Sequence, residues 1–379
     1  MRAPSVVAAV VVTAVAAAAG CAFAKPPWAA DDPDAGAGDD VAPDAASPDA
    51  ARLDAATPDA ASPADATIDA AVVAPDAALH DPVGFAPLAG DFGGLAGYLH
   101  VPPGLPVGEP RPLVVVLHGC WEDAAVHAAN GGWNQLADAR GFVTVHAEEA
   151  SQVQQCFDWW SAEAQAGGGD AAGVVAMIDA AAAAVDVDPD RVYLAGFSSG
   201  AALVVDLLAV HPGRFAGAVV DAALPYRGYT GTDVGALGYF FTEHDETPAA
   251  RAAVMPGPGP YPPVIAIVGT ADATVHPSFT RELVDQWTAA QGADQTPEVE
   301  GRLDPGHAGH VYREYRDGDG RLLIATVTVD GMAHGYPVAP TGVAPARGGG
   351  TAASLPGRPV YGKDVGLWGA YWAAIVLGL

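Results

Sequence analysis

Nothing in the 379-residue chain restricts its fold more than Val192 to Leu203, VYLAGFSSGAAL, where an apolar run breaks at glycine and restarts at once as a helix former. A G-x-S-x-G turn holds its serine in a crowded backbone corner that only glycine tolerates on both flanks, here Gly196 and Gly200, so the hydroxyl stands clear at a helix N-terminus. The serine in register is Ser198. Ser199 would read as G-x-x-S-G, which lacks that spacing, so its expected contribution is its backbone N–H. Five letters alone are a weak signal, and an inert turn of the same composition would match them. The strand before and the helix after are the context that the motif demands.

The rest of the chain agrees with that context. Arg111 to Leu117 (RPLVVVL), Phe142 to Val145, Phe215 to Val220 and Pro263 to Val268 are short apolar runs of the kind buried on both faces of a parallel sheet. Helical segments lie between them: Trp133 to Ala139, closed by Gly141, and an alanine-rich stretch from Asp170 to Val185. Strand alternating with helix predicts an α/β fold, a mostly parallel central sheet covered by helices on both faces, with ligands at the carboxyl ends of the strands. An antiparallel strand and turn open the domain at DFGGLAGYLHVPPG. Near the end, Val311 to Arg316 and Leu322 to Val329 predict a hairpin around the turn DGDG, which lacks the remaining ligands of a calcium loop. A last apolar helix, Val365 to Leu377, is too short to span a membrane and is expected to pack on the sheet.

Composition divides the chain into three parts. Residues 1–24 read as an export signal, with one positive charge, a Val/Ala run and small residues. Two processing sites compete: AAGC, which would make Cys21 a lipidated N-terminus and membrane tether, and AFA, which would be cut after Ala24. Residues 25–81 repeat Asp, Ala, Pro and Ser with almost no large apolar side chain, so nothing offsets the entropy of ordering them. This acidic segment holds thirteen of the forty-five acidic residues against Lys25 and Arg52, and it is expected to be a disordered linker. Residues 82–379 are expected to form the catalytic domain. A net charge of −28 disfavours nucleic acid as a partner and suits a neutral substrate. The expected location is outside the cell, as an outer-membrane or cell-surface lipoprotein or as a secreted protein; oligomeric state is left open.

A serine hydroxyl is a poor nucleophile until a histidine takes its proton and a carboxylate orients that histidine. After a strand–elbow–helix serine the chain order is acid, then histidine. Asp272 is the first candidate acid because the run PPVIAIV delivers it to the sheet edge; Asp221 and Asp330 are alternatives. His334, in the glycine-flanked loop DGMAHGY, is the candidate base. His307 and His310 have an i, i+3 spacing but no third ligand in sight, so they are read as exposed loop residues, and no metal or cofactor is called for. Two N–H donors are needed for the oxyanion. Ser199 would supply one and the loop His118-Gly119-Cys120 the other, through Cys120. With Cys21 assigned to the anchor, Cys120 and Cys156 are an even pair in an exported protein, and a disulfide is expected. Closing that interval is worth about 4 kcal/mol on the loop-entropy account and would pin the oxyanion loop.

Together LHGC, GWNQLADARGF, CFDWW, GGGD, DPDRVYLAGFSSGAA, GTADATVHP, GMAHGYP and YGKDVGLWGAYWA resemble, in that order, the secreted polyhydroxybutyrate depolymerase family of esterases, which is related to feruloyl and acetylxylan esterases. The resemblance runs from Pro112 to Leu379. It implies an α/β-hydrolase fold, Ser198 as nucleophile, Asp272 as acid, His334 as base, Cys120 as oxyanion donor and a Cys120–Cys156 bridge. The chain departs from the family pattern at Trp121 and Glu122, where threonine and glutamine are frequent, next to the expected position of substrate. It departs again at Ser199, where alanine is frequent. Trp121, Trp159 and Trp160 are candidates for an apolar substrate groove. The reading that results is an exported serine esterase acting through an acyl-enzyme on small esters, hydroxyalkanoate oligomers or polyester. Alternatives are a feruloyl or acetylxylan esterase, a peptidase, and an inactive surface-binding protein on the same scaffold.

Overall fold

The computed structural model describes residues 85–106, 108–150, 154–231, 237–257, 259–302, 309–340, 349–352 and 360–379. The expected export signal with Cys21 and the expected linker lie outside them, as does His307.

Among the described residues ten strands form one sheet. They are β1 (Phe85–Pro87), β2 (Ala96–His100), β3 (Arg111–Leu117), β4 (Val143–Glu148), β5 (Val187–Phe197), β6 (Gly217–Asp221), β7 (Val264–Gly269), β8 (Val299–Arg302), β9 (His310–Arg316) and β10 (Leu322–Val329), in the order β1-β2-β4-β3-β5-β6-β7-β10-β9-β8. The six from β4 to β10 in that order run parallel, and antiparallel pairs finish both edges. The apolar runs are the central strands. All six residues of β7 are buried, as are six of seven in β3, and each Val, Ile or Leu fully buried in this way is worth about 1.5–3 kcal/mol. The predicted hairpin is β9–β10, but β10 also pairs in parallel with β7, so it extends the main sheet and its end reaches the same edge as β7. The Asp317 carboxylate of DGDG accepts hydrogen bonds from the N–H groups of Asp319 and Arg321, which closes the turn on itself.

Helices cover both faces. On one, α3 (Gly169–Ala184), α4 (Ser199–Val210) and α7 (Ser278–Ala289) share a core with Leu113, Val115, Leu194, Val220 and Ala266. On the other, α2 (Trp133–Arg140) meets Thr144 and His146 through Asn134, and α8 (Gly369–Leu377) lies against Ile265, Ile267 and Val327. Among the described residues no helix is long and apolar enough to cross a membrane. The sequence reading passes over α1 (Ala124–Gly131), capped by the Asp123 carboxylate on the Val126 N–H, and over α7, whose Phe279, Leu283 and Trp287 carry a clear helical spacing. Short helices α5 (Leu237–Phe240) and α6 (Pro248–Ala253) fall between β6 and β7, and β11 (Tyr336–Val338) pairs with β12 (Gly362–Asp364) beyond the main sheet.

One expectation is corrected. His310 is not an exposed loop residue: it opens β9 opposite Val329 and is 5% exposed, because the antiparallel ladder carries it under the sheet's covering layer. Among the described residues no group of three or more His, Cys, Asp or Glu side chains could hold a metal ion.

Candidate active site

Strand β5 ends at Phe197, and the chain turns through Ser198 into α4 with Ser198 at φ 52°, ψ −115°. A non-glycine residue held there is strained, and such strain persists only where its surroundings over-determine it. They do so here. The Ser198 N–H donates to the Asp221 carbonyl at 2.9 Å, and a Cβ on Gly200 would lie 2.5 Å from the carbonyl oxygens of Leu117 and His118, so the elbow helix starts in backbone contact with the end of β3.

The other candidate residues arrive from the same edge. The Asp272 loop follows β7 and the His334 loop follows β10, and these adjacent strands end level, Gly269 opposite Val329. The two loops then travel together, with the Ala271 N–H donating to the Met332 carbonyl; a Cβ on Gly269 would be 2.0 Å from that oxygen. The result is a continuous line. Asp272 Oδ2 accepts from His334 Nδ1 at 2.8 Å, and His334 Nε2 lies 3.1 Å from Ser198 Oγ. Asp272 Oδ1 takes the N–H groups of Thr274 and Val275, both at 2.8 Å, which fixes the carboxylate against rotation. The alternatives are elsewhere: Asp330 accepts from the Thr270 hydroxyl in an exposed turn, and Asp221 Oδ1 is buried with no partner among the described residues.

Among the described residues neither the Cys120 nor the Ser199 amide has a protein acceptor, and both residues line the cleft that holds Ser198 and His334. The Gly119–Cys120 peptide is fixed from behind. Its carbonyl accepts from His118 Nδ1 at 2.8 Å and from the Glu122 N–H, while His118 Nε2 accepts from the Glu149 N–H. This pattern requires the neutral ring with its proton on Nδ1, and burial lowers the His118 pKa to about 4, the hydrogen bond to Gly119 opposing only in part. Cys120 and Cys156 form a disulfide, which joins the loop after β3 to the CFDWW segment.

The cleft has a volume of about 160 Å³ and aromatic walls. Trp121, at φ 67°, and Phe241 are the large apolar side chains that stand exposed among the described residues, at 44% and 48%, and both line it. Trp159 forms part of the floor and is 6% exposed. Trp160 does not line the cleft. It packs edge-on against Trp159 and borders a neighbouring depression with Gln165 and Arg227, because consecutive residues here point to different sides of their segment. Glu122 does not lie beside the substrate position either; it is 1% exposed and points inward, bonded to His127 and Tyr336. Leu224, Phe240, Phe241 and Tyr361 complete the walls from distant parts of the chain, with no local sequence signal. Thr274 and Val275 did carry one, since an aspartate two and three residues ahead of free N–H groups is a local turn-forming pattern.

Sequence comparison agrees with this geometry. The model of the family described as Esterase PHB depolymerase matches residues 95–295, more than half of the chain. The chain belongs to that family. Among its relatives, poly(3-hydroxyalkanoate) depolymerase C of Paucimonas lemoignei is 34% identical over 76% of this chain and 67% of its own length. An acetylxylan esterase of Coprinopsis cinerea is 28% identical, with 62% and 64% covered. A poly(3-hydroxybutyrate) depolymerase of Ralstonia pickettii is 28% identical, with 65% and 52% covered. The chain thus spans between about half and two thirds of these relatives' lengths. Among solved structures, the acetyl xylan esterase from Aspergillus awamori superposes with a TM-score of 0.58 at 21% identity over 66% of this chain and 93% of that one. The likeness establishes the α/β-hydrolase fold for this family member.

Proposed function

We propose that this esterase-family protein is an exported serine esterase that cleaves hydroxyalkanoate esters through an acyl-enzyme. The observation that carries the reading is the hydrogen-bonded line from Asp272 through His334 to Ser198, opening into an apolar cleft. In the proposed reaction His334 Nε2 takes the Ser198 proton as Oγ attacks the ester carbonyl, and Asp272 holds the ring with Nε2 facing the serine. The tetrahedral oxyanion is received by the N–H groups of Cys120 and Ser199. His334 then returns the proton to the leaving alcohol, and water repeats the sequence on the acyl-enzyme.

The walls support a neutral, aliphatic substrate. No Asp, Glu, Lys or Arg is among the described residues lining the cleft, so an ionic substrate would find no partner for its charge. Family relatives named as depolymerases point the same way. Export, with or without a lipid on Cys21, rests on the N-terminal sequence.

The test is Ser198→Ala with a fluorophosphonate probe and a substrate panel. The wild type should be labelled at Ser198 and should hydrolyse hydroxybutyrate oligomers faster than feruloyl esters or acetylated xylan, with the variant losing about 10⁴-fold or more in kcat. An unlabelled wild type would favour the inactive binding protein. Preference for feruloyl esters or acetylated xylan would move the substrate to plant polysaccharide, and amide turnover would make the protein a peptidase.

A further inference from the structure

Glu122 carries a charge-bearing group into the interior two residues after Cys120, and it is 1% exposed. A carboxylate in such a place is costly unless donors surround it. Three do. Oε2 accepts from the Gly119 N–H at 3.2 Å and from His127 Nδ1 at 2.9 Å, and Oε1 accepts from the Tyr336 hydroxyl at 2.8 Å. Burial works to raise the Glu122 pKa, but the charge and hydrogen bond of His127 and the Tyr336 hydroxyl outweigh it and hold the carboxyl below its ordinary value. Hydrogen bonds to an ionised carboxylate are stronger than those between neutral groups.

The three donors belong to different parts of the site. Gly119 precedes the proposed oxyanion donor Cys120, and the Glu122 N–H itself grips the Gly119 carbonyl, so both polar groups of Gly119 are tied to this one residue. His127 lies on α1. Tyr336 stands two residues beyond His334, where the base loop enters β11. The rings close around Phe197, next to the serine: its centroid is 4.9 Å from that of His334, 5.2 Å from Tyr336 and 6.4 Å from a parallel His127. The oxyanion loop and the base loop therefore share one buried anchor, although neither is bonded directly to the other through it.

We propose that Glu122 is a positioning residue that sets the spacing between the oxyanion donor at Cys120 and the base His334, so that both meet the same tetrahedral centre. The inference rests on the serine-esterase reading of this site. It assigns Glu122 no contact with substrate: its effect passes through the Gly119–Cys120 peptide on one side and through Tyr336 on the other.

The experiment compares Glu122→Gln, Glu122→Leu and Tyr336→Phe with the wild type on a soluble short-chain ester, together with inhibition by an alkyl boronic acid that forms a tetrahedral adduct with the serine. Loss of aim should appear in the transition state and spare ground-state binding. Glu122→Leu should lower kcat about 100-fold with KM within about threefold, since a displacement near 1 Å or one lost oxyanion donor costs this much. Boronate affinity should fall in step. Glu122→Gln, whose amide oxygen can still accept from Gly119 and His127, should stay within about tenfold of wild type, and Tyr336→Phe, which releases only the base loop, should lose about tenfold in kcat. Unchanged kcat and boronate affinity in folded Glu122→Leu would overturn the proposal. If that variant does not fold, Tyr336→Phe decides, and wild-type kcat there overturns it. A wild type that neither turns over ester nor binds boronate would instead refute the serine-esterase reading beneath it.

Discussion

Two aspartates end neighbouring strands at the same sheet edge, and the fold treats them in opposite ways. Asp272, three residues beyond β7, is 4% exposed, with His334 on one oxygen and two main-chain N–H groups on the other. Asp221, the last residue of β6, gives its carbonyl to the Ser198 N–H, yet its Oδ1 is buried without a partner among the described residues and burial pushes its pKa well above the ordinary range. One side chain is held toward His334 by bonds on both oxygens. The other is disfavoured as an anion by its burial, and its link to the elbow runs through its main chain. What separates them is the loop that follows: after β7 the chain turns back and caps its own carboxylate, whereas after β6 it runs on through Ala222 at φ 52° toward the cleft wall at Leu224.

Three substitutions separate the two carboxylates and the loops that carry them. Asp272→Asn should cost about 10³–10⁴-fold in kcat with little change in fold, because the amide leaves His334 in the wrong tautomer; kinetics on a chromogenic ester would check it, and a loss below tenfold would remove Asp272 from the role. Gly269→Ala should be milder. Its methyl would press on the Met332 carbonyl, spread the acid and base loops, lower kcat at least tenfold, and destabilise the protein by about 1–3 kcal/mol in chemical denaturation. Asp221→Asn should have the smallest effect on rate, within about twofold. It should nevertheless alter the pH dependence of stability. A carboxyl whose pKa is raised by folding stabilises most below its unfolded value near 4 and loses that contribution as pH rises; the amide cannot ionise, so the variant should melt above wild type at pH 8 and the gain should vanish toward pH 4. A large fall in kcat here would reverse the roles of the two carboxylates.

Much of the site was legible because its residues sit where strands stop. Apolar runs identify central strands, and glycine-rich loops just beyond them deliver Ser198, the two aspartates and His334 to one edge, so chain order and sheet order together limit the choices. The choice between Asp221 and Asp272 could be ranked from the sequence but not decided, since it depends on which carboxylate meets the imidazole in space. Glu122 was misplaced: the sequence put it beside the substrate position, and the fold buries it. Its neighbours in the chain, Cys120 and Trp121, face the cleft, and only the partners Tyr336 and His127 turn it inward. The tryptophans show the same limit: Trp159 and Trp160 are adjacent letters, yet one floors the cleft and the other borders a different depression.

By itself, then, the sequence determined the α/β class, the elbow and its strained serine, because these follow from local periodicity and from steric demands that only glycine meets. The tertiary structure decided which carboxylate meets His334, which aromatic rings form the walls and where Glu122 is held. Those are matters of contacts between residues far apart in the chain, and no local pattern encodes the distance between them.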